Sequence, residues 1–239
     1  MQRYFGKIIL DDGILSDDDV FHLTKVMRAR VGDSVELVCD EKVYLATVTC
    51  LKPLKLRIMH RIDEDNELKC KVILIVSLLK GEKMDFVIQK ATELGASEIV
   101  LLQSERSIAK IKRDDKESKF VRFSKIAKEA SEQSKRLVIP DIYRLIDFEN
   151  LEDIEADVKM VAYEGVSGKT TSLYQELAKV KKGSTIALLV CPEGGFSEKE
   201  VSTAVNCGFA TVSFGKRILR AETACLYGLS VVSSYLEKK

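Results

Sequence analysis

The chain has 239 residues, 46% of them apolar and 31% charged, with a formal net charge of +1 at neutral pH. That composition excludes a disordered or collagen-like chain, and the length suits two modest domains or one large α/β unit. The longest apolar run, Val72 to Leu79 with Ser77 inside it, is shorter than the roughly 20 residues that span a bilayer, and no signal-peptide core follows Met1. The expectation is a cytoplasmic protein with no membrane partner.

Up to residue 62 the signals are short strands, over 3–9, 34–38, 43–51 and 55–62, with clear alternation in Ser34-Val35-Glu36-Leu37-Val38 and a hairpin turn at Asp40-Glu41. One helix interrupts them, capped by Ser16, with Val20, Leu23 and Met27 on one face. The stretch Asp63-Glu64-Asp65-Asn66-Glu67 is acidic, lacks apolar residues and reads as a linker. Two domains are therefore expected, 1–68 and 69–239.

Beyond Leu68 strands and helices alternate, the pattern of βαβ units around a mostly parallel sheet. The run 72–79 is apolar except for Ser77, as for a strand buried on both faces. Met84, Val87, Ile88, Ala91 and Leu94 follow at helical spacing, and Gly95 stands where a left-handed cap belongs. Next come a strand at 99–102 and a helix with Phe123, Ile126, Ala127 and Ala130 on its apolar face and Lys119, Arg122, Lys125 and Lys128 opposite. Strands over 158–163 and 185–190 flank a helix at 173–180. Ser197 and Glu200 make a capping box for a helix that Gly208 ends, and a strand at 211–214 precedes the last helix, 222–236. At that helix Ala221, Ala224, Cys225 and Gly228 place small side chains on one face, where either a second backbone or the chain's own sheet could pack.

The net charge hides a local imbalance. Between Glu105 and Arg136 eleven Lys/Arg stand against six Asp/Glu, and between Asp141 and Asp157 seven acids stand against Arg144 alone. The basic segment suits either a polyanion partner or a plain solvated helix. The six cysteines form no CxxC and only His22 and His60 are present, so neither a metal site nor imidazole-driven chemistry is expected.

Three loops carry candidate chemistry. Gly165-Val-Ser-Gly168-Lys169-Thr170 looks like half of a phosphate-binding loop, but Tyr163 occupies the position of the first glycine, so a polar turn is the better reading. Cys191-Pro-Glu-Gly-Gly-Phe-Ser197 joins a strand to a capped helix, and tandem glycines there let a ligand approach the backbone. Phe214-Gly-Lys-Arg-Ile-Leu-Arg-Ala-Glu-Thr-Ala224 repeats that geometry with a basic segment. Two such loops at neighbouring strand ends would form one crevice.

These last two segments resemble the paired C-terminal motifs of the RsmE family, the 16S ribosomal RNA uridine-N3 methyltransferases of the SPOUT superfamily. Lys80-Gly-Glu-Lys-Met84, Gln89-Lys-Ala-Thr-Glu-Leu-Gly95, Ser104-Glu-Arg-Ser107, Glu129-Ala-Ser-Glu-Gln-Ser134 and His22-Leu-Thr-Lys-Val-Met-Arg28 match in the family's order. The chain departs at Cys191, Phe214 and Phe21, where the family usually carries glycine, leucine and often histidine.

The resemblance implies an N-terminal PUA-like RNA-binding β-barrel, a trefoil-knotted α/β methyltransferase domain and a homodimer. S-adenosyl-L-methionine would then sit against Tyr163, Val190, Cys191, Glu193, Gly194, Gly195, Phe214, Gly215, Ile218, Leu219 and Ala224. Loss of the N3 proton calls for a carboxylate or for cations that stabilise the uridine anion, so Glu193, Glu222, Arg217 and Arg220 are the catalytic candidates. Candidate RNA contacts are Arg3, Lys25, Arg28 and Arg30 in the barrel and Lys80, Lys83, Arg106, Lys110, Lys112, Arg113 and Lys128 beyond it. A non-catalytic ribosome-assembly factor on the same scaffold is the alternative.

Overall fold

A computed structural model describes residues 1–163 and 170–238, which fall into two compact units. The first is Met1–Glu67 together with Lys128–Val138; the second is Leu68–Ala127 with Ile139–Lys239. The sequence reading assigned all of 128–138 to the second domain. What draws it into the first is packing that helical periodicity does not record: Leu137 shares a small core with Val38 and Val43, and the Glu67 carboxylate accepts from the Leu137 N–H at 2.8 Å.

The first unit is a six-stranded sheet of β1 (Arg3–Phe5), β2 (Lys7–Ile9), β3 (Asp12–Ile14), β4 (Ser34–Cys39), β5 (Lys42–Leu51) and β6 (Leu54–Ile62), in the order β1-β4-β5-β6-β3-β2. The single strand expected over 3–9 breaks at Gly6, and its halves pair differently: β1 runs parallel to β4, β2 antiparallel to β3. The glycine is required because a Cβ there would lie 2.4 Å from the Ile14 carbonyl. Asp40 and Glu41 both have left-handed φ, +50° and +57°, the two-residue turn that matches strand twist. Helix α1 (Asp17–Phe21) is capped by the Ser16 hydroxyl, which accepts the Asp19 N–H, and a π-helical turn continues it over His22–Val26. Tyr4, Leu23, Val35, Ala46, Val48 and Leu56 form this unit's main core.

The second unit is an all-parallel sheet of β7 (Lys71–Ser77), β8 (Glu98–Gln103), β9 (Leu145–Asp147), β10 (Val158–Ala162), β11 (Thr171–Ser172), β12 (Thr185–Val190) and β13 (Ala210–Ser213). Its order is β11-β13-β10-β12-β7-β8-β9. The helices are α2 (Glu82–Glu93), α3 (Lys116–Gln133), α4 (Leu173–Leu177), α5 (Glu198–Asn206) and α6 (Ala221–Leu236). Alternate residues of β7 enter separate cores, Leu74 and Val76 in one, Ile73 and Ile75 in the other, which is why the strand is apolar from 72 to 76. Sequence reasoning missed β9 and β11, because two or three residues show no period.

Helix α6 decides between two readings of its small-residue face. Its small-residue face is taken up by the chain's own sheet: a Cβ added at Gly228 would lie 2.7 Å from Leu188 Cδ2 and 2.8 Å from Phe214 Cζ. Ala221, Ala224 and Cys225 are buried with it, so this face leaves no room for a second backbone.

Candidate active site

Strands β13, β10 and β12 are neighbours in the sheet, so their carboxyl ends bring Phe214, Tyr163 and Cys191 together. Open parallel sheets bind ligands at such ends. Here they enclose a cavity of about 600 Å³, closed by the first turn of α6 and by Lys83 from α2. That volume suits a cofactor-sized molecule, for which sites of about 300–1,000 Å³ are usual.

The loop after β12 is held at both ends. The Gly195 N–H donates to the Pro192 carbonyl at 3.0 Å, with Gly195 at φ +70°, where a side chain would be strained. Gly194 lies against Arg106, whose guanidinium donates to its carbonyl at 3.4 Å. The expected capping box at Ser197 and Glu200 forms, and the Glu200 carboxylate also accepts the Glu105 N–H at 2.8 Å. The loop after β13 turns at Gly215, φ +112°, whose N–H donates to the Ser213 hydroxyl at 3.1 Å. Arg220 then stands exposed at the start of α6.

Charge in the crevice centres on Lys83. Its ammonium is 3.3 Å from Glu193 Oε1 and 3.5 Å from Glu222 Oε2. Glu222 Oε2 is buried and has no hydrogen-bond partner. The Lys83 ammonium offsets its charge, and Glu222 itself stands beside the cavity and is not part of its wall.

Of the residues expected at a cofactor, Tyr163, Cys191, Glu193, Gly194, Gly195, Phe214, Ile218, Leu219 and Ala224 line the cavity. Val190 is buried in β12 and Gly215 is exposed, and neither is part of the wall. Arg220 lines it, whereas Arg217 is exposed outside it. Sequence reasoning missed Ala162, Val212 and Phe196 as wall residues; the first two sit at the ends of β10 and β13, a position that was readable.

Among the RNA candidates two corrections arise. Arg3 is fully buried, its guanidinium 2.8 Å from Glu36 and from Glu64 and donating to the Lys135 carbonyl at 2.6 Å, so it has no face for a phosphate. Lys83 points into the crevice onto two carboxylates rather than standing free. Lys128 is engaged by Asp19 and Glu132. Lys25, Arg28, Arg30, Lys80, Arg106, Lys110 and Lys112 are exposed. The side chain of Arg113 lies outside the described residues, as does the phosphate-loop-like segment except for Thr170.

Comparison with known proteins gives this geometry a family. The RNA methyltransferase domain model matches residues 66–233, and the RNA methyltransferase PUA domain model matches 15–58. A Bacillus subtilis protein named Ribosomal RNA small subunit methyltransferase E is 34% identical over 99% of this chain and 98% of its own. The chain belongs to the ribosomal RNA small subunit methyltransferase E family. A second member, Ribosomal RNA small subunit methyltransferase E 2 of Borreliella burgdorferi, is 30% identical over 97% of this chain and 98% of its own. The Neisseria gonorrhoeae member, solved bound to S-adenosyl methionine, superposes with a TM-score of 0.85 at 29% identity, covering 98% of this chain and 97% of that one. The fold is accordingly a PUA-like domain and a SPOUT-type α/β methyltransferase domain.

Proposed function

We propose that the chain methylates N3 of a uridine in 16S ribosomal RNA, using S-adenosyl-L-methionine bound in the crevice at the ends of β10, β12 and β13. The observation that carries this reading is a cofactor-sized, largely apolar cavity with Glu193 on its wall and Glu222 beside it, both ion-paired with Lys83. The residues fit the cofactor: Ala162, Val212, Phe214 and Leu219 offer an apolar wall for an aromatic base, two glycine-bearing loops expose backbone, and Glu193 suits a cation. When bound, it supplies an electrophilic methyl group on a sulfonium. The chain's own contribution is positioning and proton management. Glu222 Oε2 accepts the N3 proton, and the Arg220 guanidinium at the crevice mouth, with Arg217 beyond it, stabilises the negative charge that develops on the uracil.

Lys25, Arg28, Arg30, Lys80, Lys110 and Lys112 are the proposed phosphate contacts, and a two-fold homodimer with α6 at or beside its interface is the proposed assembly. The knotted threading of the strands belongs to the same proposal. A pure RNA-binding factor would have no use for the crevice.

The test is Glu222→Gln. Binding of S-adenosyl-L-methionine by calorimetry should persist while kcat falls by about 100-fold or more, with the modified position mapped by primer extension on ribosomes from a deletion strain. Full methylation by the Glu193→Gln, Glu222→Gln double variant would remove the carboxylates from the mechanism.

A further inference from the structure

Among the described residues Lys83 is the one cation held between Glu193 of the crevice wall and Glu222 beside it, and it reaches them from a third element. Its own helix, α2, supplies no other residue to the cavity wall. Glu193 follows β12, Glu222 sits in the first turn of α6, and all three side chains are more than half shielded from water. Charges held so close and half-buried interact more strongly than they would in bulk solvent. Among the described residues, the wall's Lys83, Glu193 and Arg220 together with Glu222 behind Lys83 sum to zero; without Lys83 the sum is −1.

We infer that Lys83 is a positioning residue that neutralises the Glu193–Glu222 pair and so sets the charge the crevice presents to a sulfonium. The inference rests on the methyl-donor reading above. In the transfer, the sulfur–methyl bond breaks with its electron pair left on sulfur, the N3 electron pair forms the new bond, and the N3 proton goes to Glu222. The donor thus passes from a cation to a neutral thioether. A crevice with surplus negative charge stabilises the bound cation more than the transition state, in which that charge is already fading; binding tightens and the chemical step slows. Lys83 prevents this while leaving Glu222 Oε2 free of a hydrogen bond.

The experiment is calorimetric titration of the full chain with S-adenosyl-L-methionine, which carries the sulfonium charge, and with S-adenosyl-L-homocysteine, which lacks it. Lys83→Met should shift the affinity ratio about tenfold toward the sulfonium ligand, equivalent to about 1.4 kcal/mol, and lower kcat. Lys83→Arg should keep the wild-type ratio. Adding Glu222→Gln to Lys83→Met restores the charge sum and should return the ratio toward wild type. A purely structural tether would weaken both ligands alike, so an unchanged ratio in Lys83→Met overturns the inference while leaving the donor site intact. Failure of the unmodified chain to bind either ligand would overturn the methyl-donor reading and this inference with it.

Discussion

Arg3 and Arg28 are the same residue type in the same unit, yet their surroundings give them opposite work. The Arg3 guanidinium is buried between Glu36 and Glu64 and donates to the Lys135 carbonyl. Arg3→Ala would take the guanidinium from Glu64 and leave Glu36 with Lys135 alone, and we expect it to cost about 3 kcal/mol, read as a fall in the calorimetric unfolding midpoint. Arg28 and Arg30 are exposed. The Arg28→Ala, Arg30→Ala double variant should change stability by about 0.5 kcal/mol or less. Its RNA affinity should fall, and the slope of log affinity against log salt should lose about 0.7 for each phosphate contact removed. Composition and spacing gave both arginines the same reading; only burial separates them.

Elements were far more legible than single residues, because periodicity and caps are local. The capping box of α5, the glycine ends of α2 and α5 and the doubly buried β7 all stand in the sequence as residue patterns. What a helix face packs against is not local. The small residues of α6 could have served a partner subunit, yet Gly228 lies against Leu188 of β12 and Phe214. Gly228→Leu would overpack that contact, and we expect a loss of about 1–3 kcal/mol in denaturant unfolding. Phe214 is a crevice wall residue, so the affinity for S-adenosyl-L-methionine should fall with it.

For the molecule as a whole, two carboxyls among the described residues link stability to pH. Glu132 is buried beside Asp19, and burial first, then the Asp19 charge, push its carboxyl up to about 7, against the opposing pull of Lys128. Its folded value lies above its unfolded one, so the native state holds the proton more tightly. Its contribution is fully present below the unfolded value of 4.5 and is lost as pH rises through about 7. Glu132→Gln should therefore leave the unfolding midpoint nearly unchanged at low pH, raise it above neutrality, and flatten the profile between. Glu36 works in the opposite sense: burial raises its value, but the Lys135 and Arg3 partners together outweigh that and hold it low. Assembly is the second whole-molecule expectation. Tyr227 stays partly exposed on α6, and sedimentation at assay concentration should give a two-chain mass that Tyr227→Glu reduces to one chain. A fully active monomer would overturn the dimer.

The sequence by itself determined the strand–helix alternation, the two glycine-bearing loops at strand ends, and the carboxylates and cations those loops carry. Each of these is written in residues that are near one another along the chain. The tertiary structure alone decided three things. It drew Lys128–Val138 into the first unit. It buried Arg3 under carboxylates from β4 and the acidic linker. It also turned Lys83 onto Glu193, 110 residues away. A pair so distant leaves no period and no local composition. It forms because βαβ connections in a parallel sheet return the chain to the same edge, so strand ends far apart in sequence meet at one crevice.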